Sequence, residues 1–222
     1  MALSYSGLLE GDSRNLWDDF WKGHGSKAVA SWAKRRMIKI MSNYLRPGSS
    51  VLDAGCGSGF FSSYFISCGC DVYSLDYSGQ ALSIAKDITR SKSKAYIKGN
   101  MLDERTLLDI GRRFDIIFTD GLLEHYREKE QDRIIQNLKA LKKEKGLIIN
   151  FVPNRFSFWS IIRPFYIAIK ERPFLMSEFL DLHTRNGLEI RSCGGINVVP
   201  FRISPERLLG RYVGMLFHCV AV

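Results

Sequence analysis

The nine residues Val51-Leu52-Asp53-Ala54-Gly55-Cys56-Gly57-Ser58-Gly59 constrain this chain more than any other stretch. An apolar run carries one acid and then opens into three glycines at alternate positions. Glycine turns the backbone sharply and leaves no Cβ in the way of a ligand. A strand that feeds such a loop into a helix N-terminus makes a ready cradle for a polar group. The pattern predicts an α/β fold with a ligand at the end of its first strand.

The periodicity of the remaining chain agrees. Strands are predicted over Ser50–Ala54, Asp71–Leu75, Ala95–Lys98, Phe114–Thr119 and Gly146–Phe151. Helices are predicted over about Phe60–Cys68, Ser78–Ser91, Glu104–Gly111 and Lys129–Leu141. Upstream, residues 14–45 read as two helices, parted at Gly23-His24-Gly25 and ended by Pro47-Gly48. Downstream, Ser177 is expected to cap a helix that runs to about Thr184 and stops at Asn186-Gly187. Two late strands follow, Leu188–Cys193 and Met215–Val222, with an irregular stretch around Pro200 and Pro205 between them. The expected fold is α/β: a doubly wound, mostly parallel, seven-stranded sheet with a late antiparallel strand and helices on both faces. Residues 1–46 read as an N-terminal helical cap and 47–222 as the main domain, with insertions at about 153–176 and 194–214.

At 222 residues the chain suits one domain with a sizeable core. Its N-terminus lacks the pattern of an export signal. The most apolar stretch, Phe156–Ile169, is interrupted by Arg163-Pro164 and is too short to span a bilayer, so a cytoplasmic protein is expected. Five cysteines, an odd number, read as free thiols. Cys68 and Cys70 have no second pair or histidine cluster beside them, so no metal site is expected. The net charge of +9 admits a nucleic-acid partner. The basic residues are scattered with no run of five, and that partner is not favoured.

The acidic residues select the ligand. A dinucleotide loop wants G-x-G-x-x-G, and here the third glycine position falls on Phe60. Asp53 would repel a pyrophosphate but suits an ammonium. Asp76 ends the second strand, where a carboxylate can accept from both ribose hydroxyls; a helix cap is its plainer role. Tyr77 beside it could lie on an adenine ring or serve ordinary packing. Together these features favour S-adenosylmethionine (SAM), with its sulfonium and amino group, over NAD.

The loop, Asp76 and Phe114-Asp-Ile-Ile-Phe-Thr-Asp-Gly-Leu-Leu-Glu-His-Tyr126 in this order resemble class I SAM-dependent methyltransferases. The branch they most resemble includes ubiquinone-biosynthesis and natural-product enzymes that act on small-molecule acceptors. The resemblance is strong over about 47–152 and continues weakly over 176–190. It implies that Asp53 and the loop at Gly55, Cys56, Gly57 and Gly59 hold the methionine end, and that Asp76 holds the ribose. It places Asn100 at a position that is often Asp and reads the adenine amino group, with Met101 against the ring and Asp103 as the alternative acid. Asp120 and Gly121 would lie near the transferring methyl.

Such a transfer needs an aligned acceptor, exclusion of water and, for some acceptors, a base. The acid–base candidates are His125, Glu124, His24 and Tyr5; a structural role is the alternative for His125. His183 and His218 read as ordinary surface or sheet residues. No Asn-Pro-Pro-Tyr loop follows the fourth strand, and no Pro-Cys pair offers a nucleophile. Asn154, Arg155 and Trp159 are the acceptor-side candidates. The aromatic run from Phe156 could be a lid, part of the core or a membrane-surface helix. The expected function is methyl transfer to an O, N or C centre of a small molecule. Methylation of RNA or protein, and non-catalytic SAM binding, are the alternatives.

Overall fold

Alternation of apolar side chains along each central strand sends one set to each face of the sheet, and both faces are covered. A computed structural model describes residues 14–24, 31–162 and 171–222. Before the sheet come α1 (Arg14–His24) and α2 (Trp32–Met41). The alternating core follows as β1 (Ser50–Ala54), α3 (Phe60–Ser67), β2 (Asp71–Asp76), α4 (Gly79–Ile88), β3 (Ala95–Lys98), α5 (Glu104–Ile110), β4 (Phe114–Asp120), α6 (Glu128–Leu141) and β5 (Lys142–Pro153). The C-terminal part adds α7 (Phe158–Ile162), α8 (Met176–Arg185), β6 (Ile190–Ile196), α9 (Glu206–Val213) and β7 (Leu216–Ala221).

The strand order is β3-β2-β1-β4-β5-β7-β6. The parallel pairs are β1 with β2 and β4, β2 with β3, and β4 with β5; β7 is antiparallel to both β5 and β6. This is the expected doubly wound sheet with one late reversed strand. The order changes direction between β1 and β4, and the C-terminal ends of those strands open a crevice there.

Leu52, Ile117 and Ile148 face one side, against Ile134 and Leu138 of α6 and Phe179 and Leu182 of α8. Val51, Ile116, Phe118 and Ile149 face the other, against Met37 and Met41 of α2 and Phe61 and Phe65 of α3. Each strand is therefore apolar on both faces, which is why these runs read as nearly continuous hydrophobic stretches.

Four local expectations are corrected. The cap of α8 is Leu175, whose N–H donates to Glu178 Oε2 at 3.1 Å; Ser177 lies inside the first turn. The stretch between the last two strands is not irregular throughout, because β6 runs to Ile196 and α9 forms after Pro205. Gly195 and Gly210 explain this helix. A Cβ on Gly195 would stand 1.8 Å from the Gly210 carbonyl oxygen, so α9 lies on β6 backbone to backbone. β5 begins at Lys142, earlier than its apolar run.

The fourth correction is His183, which is fully buried on α8 rather than at the surface. Its Nε2 lies 2.8 Å from Asn150 Nδ2, and its Nδ1 lies 2.7 Å from the Phe179 carbonyl. Asn150 Oδ1 in turn accepts from Thr119 Oγ1 at 2.7 Å. The ring thus donates from Nδ1, accepts at Nε2 and is neutral. His218 lies on β7, within the sheet as expected.

Burial pulls His183 from an ordinary 6.5 down to about 4. Between those values the unfolded chain binds the proton and the native chain does not, so this residue's contribution is lost as pH falls through that window. The difference is worth about 3 kcal/mol. His183→Gln should flatten the dependence of unfolding free energy on pH between 6.5 and 4, read by denaturant titration. An unchanged slope would contradict the assignment.

Candidate functional site

The site is built where the chain leaves β1. Asp53 is the fourth residue of that strand and is buried. Its Oδ2 accepts from Ser62 Oγ at 2.6 Å, and Ser62 continues to Ser74 and Ser93 in a buried hydroxyl chain. Burial pushes the Asp53 carboxyl up to about 7 against the Ser62 hydrogen bond, with Asp120 and Asp76 raising it further. Asp76 ends β2, and burial pushes it up to about 6. One of its oxygens accepts from the Gly57 N–H at 2.8 Å and the other from the Ser78 N–H at 2.9 Å. The cap of α4 is Ser78, not Asp76.

Two loop glycines are required for different reasons. Gly57 has φ +51°, and a Cβ there would stand 2.6 Å from the Trp21 ring of α1. Gly59 has φ +77° and lies against Ala85 of α4, where a Cβ would meet the backbone at 2.7 Å. The first lets the Trp21 ring lie against the loop; the second lets α3 and α4 approach.

A cavity of about 250 Å³ lies over the loop, just below the usual size of small-molecule sites. Asp53, Gly55, Cys56, Gly57, Asp76, Tyr77, Asn100, Met101, Asp120, Gly121 and His125 all line it. Of the expected cofactor residues, only Gly59 lies behind the lining. Asn100 Oδ1 already accepts from the Leu102 N–H at 3.0 Å, and Asp103 caps α5 away from the cavity.

Among the lining residues that were not expected, Trp17, Trp21 and Lys34 come from the two helices before the sheet. α1 lies across the cavity, anchored by Asp18, which accepts from Gln80 N at 3.2 Å and from the Ser78 hydroxyl. The Trp17 ring meets His125 edge to face at 4.9 Å. Lys34 places its ammonium 4.1 Å from the Phe60 ring. Burial lowers its pKa, and Asp120 opposes that shift. No sequence pattern links these helices to the loop, because the contacts are long-range.

His125 ends a short 3-10 turn, Leu123–His125, that Gln131 holds through its Nε2 donating to the Leu123 and Tyr126 carbonyls. Glu124 is fully buried in the same turn and does not line the cavity. Glu171, a residue not anticipated, brings its carboxylate to 3.9 Å from His125 Nε2. Ligand-type atoms of Glu124, His125 and Glu171 lie within 4.8 Å of one another, the group of described residues that could hold a metal ion.

The acceptor-side candidates are turned to other partners. Asn154 is buried and donates to the Tyr212 and Gly214 carbonyls. Arg155 binds Glu178 at 2.8 Å. Trp159 packs against Phe158. None of the three lines the cavity. His24 is the last residue of α1, and its side chain and Tyr5 lie outside the described residues.

The fold and the acid-flanked glycine loop at the switch point define a class I SAM-methyltransferase architecture. Residues 45–162, more than half of the chain, match the family described as Methyltransferase domain, and the chain belongs to that family. It is 32% identical over 113 residues to the ubiquinone biosynthesis O-methyltransferase of Glaesserella parasuis, covering 49% of this chain and 47% of that protein. It is 31% identical over 111 residues to the magnesium-protoporphyrin O-methyltransferase of Synechocystis, covering 48% and 46%. The chain thus matches about half the length of these curated relatives. Among solved structures, a SAM-dependent methyltransferase from Anabaena variabilis superposes with TM-score 0.73 at 17% identity, covering 100% of this chain and 99% of that one. Magnesium protoporphyrin IX methyltransferase from Synechocystis with bound SAH gives 0.67 at 15% identity, covering 95% and 99%.

Gly57→Val should abolish SAM binding, measured by calorimetry on protein shown by circular dichroism to be folded, and should lower the melting temperature, because the left-handed backbone and the Trp21 ring both oppose a side chain there. Unchanged affinity would contradict the placement of the ligand over this loop.

Proposed function

We propose that this protein transfers a methyl group from SAM to an O, N or C centre of a small, apolar or aromatic acceptor. The observation that carries the reading is the charge of the cavity. Three carboxylates, Asp53, Asp76 and Asp120, line it with a single ammonium, Lys34. Such a lining attracts a cation and disfavours a pyrophosphate. The residues lining the cavity fit SAM by the chemistry of their groups: acids for its amino group and ribose, and a cation for its carboxylate.

In this reading Asp53 and the loop from Gly55 to Gly59 hold the methionine end, with Lys34 as the carboxylate partner. Asp76 accepts from the ribose, and Tyr77, Asn100 and Met101 border the adenine. Asp120 and Gly121 flank the reacting end. Bound SAM supplies an electrophilic carbon on a departing sulfur. The protein's part is to align the acceptor, keep water out and take up a proton where the acceptor is protic. His125 lines the cavity and is the group placed to accept that proton. Glu124 lies beneath it, and His24 ends the helix that covers the site.

The contribution of Trp17 and Trp21 of α1 to the cavity lining supports a small acceptor over RNA or protein, because part of the site is walled by the chain's own aromatic rings. The acceptor wall in this reading is Trp17 and His125, not Asn154, Arg155 or Trp159.

The test supplies methyl-labelled SAM and cell extract, then separates small molecules, RNA and protein. Label is expected in the small-molecule fraction. His125→Ala should lower that transfer by about a hundredfold, the usual size of a lost base, with SAM affinity changed less than threefold. Label confined to RNA or protein would overturn the reading.

A further inference from the structure

Eight of the twelve large apolar side chains that stand exposed on the described residues fall in two short stretches, 156–158 and 201–213. The second stretch contains α9. Its inner face is set by Gly210 against Gly195 and by Glu206, which pairs with Arg36. One helical turn apart on the outer face stand Leu208 and Tyr212, 78% and 69% exposed. Beside them, again one turn apart, stand the exposed Arg207 and Arg211. An apolar stripe and a basic stripe thus run side by side along the solvent face of one helix.

The loop before α9 continues both characters. Ile203 is 86% exposed, Phe201 is 65% exposed, and Arg202 lies exposed between them. Glu206 is the single acid between residues 201 and 213 and is engaged inward. A shallow groove carries the patch onward from Arg211 and Tyr212 to Phe156. Asn154 ties this face to the end of β5 by donating to the Tyr212 and Gly214 carbonyls. Gly121 N–H donates to the Phe151 carbonyl, so the end of β5 adjoins the end of β4 where the cavity opens.

We infer that this face docks on an anionic lipid surface, with Phe201, Ile203, Leu208 and Tyr212 entering the interface and Arg202, Arg207 and Arg211 at headgroup level. Apolar side chains flanked by arginines suit a boundary whose outer layer is anionic and whose inner layer is hydrocarbon. Arginine stems extend along apolar surface and keep their charge in the polar layer. The net charge of +9 adds long-range attraction of the same sign. Among the described residues no helix is long and apolar enough to cross a membrane, so the contact is peripheral. The inference goes beyond methyl transfer and does not depend on it.

Co-sedimentation with vesicles tests it on the full chain. Phosphatidylcholine vesicles are compared with vesicles of phosphatidylcholine and phosphatidylglycerol. The protein is expected to bind the anionic vesicles at least tenfold better, with binding lost at high salt. Arg207→Gln with Arg211→Gln should lower partition about thirtyfold, a factor of about five per charge. Leu208→Glu with Tyr212→Glu should lower it at least tenfold. Should the second pair of changes also lower the melting temperature, the arginine pair alone decides, because it leaves the apolar stripe intact. Equal binding to both vesicles, no binding to either, or wild-type binding by the arginine variant would overturn the inference. So would a dimer in solution that either variant converts to monomer, because the face would then be covered by a second copy.

Discussion

The hydrogen bond from the Gly57 N–H to the Asp76 carboxylate joins the two halves of the site, and much else follows from it. It ties the loop after β1 to the end of β2 and fixes how the chain enters α3. It also requires an acid at a position that folding buries. Asp53, one strand away, is buried as well, and burial pushes both carboxyls upward. Two buried acids beside Asp120 form a concentration of potential negative charge that only a cationic ligand or protonation relieves. In the proposed reading, a bound sulfonium cofactor would offset part of that charge.

That charge explains why a fold shared with dinucleotide enzymes holds a different ligand here. The helix N-terminus behind the loop would serve a phosphate equally well. The discriminating groups are the carboxylates around it, with Lys34 in the same lining and in electrostatic contact with Asp120. Trp21 adds a steric element, because its ring lies over the loop where Gly57 leaves space.

The central sheet was legible in the sequence because its strands are short apolar runs bounded by glycine, proline or charge. β1 and β3 have the expected ends, and β2 ends at the expected Asp76. That the expected cofactor residues gather at one cavity was legible for the same reason: they sit at strand ends in chain order. What escaped the sequence depends on contacts between distant segments. α9 was hidden by Pro205 and Gly210, residues that lower helix propensity; the glycine is there because β6 approaches its backbone. His183 read as a surface residue because its partners, Asn150 and Phe179, complete its hydrogen bonds inside the core. Trp17, Trp21, Lys34 and Glu171 reach the site from helices and loops with no motif of their own. Asn154 and Arg155 follow a strand end, as ligand-facing residues do, yet bind structural partners across 58 and 23 residues of chain.

The central claim is that the acidic cavity at the switch point selects a sulfonium cofactor rather than a dinucleotide. Titration calorimetry of the purified chain with SAM and with NAD⁺ tests it most directly. The account expects saturable one-to-one binding of SAM, with NAD⁺ at least a hundredfold weaker, a difference of about 2.7 kcal/mol. Comparable binding of NAD⁺, or no heat of binding with SAM, would contradict it.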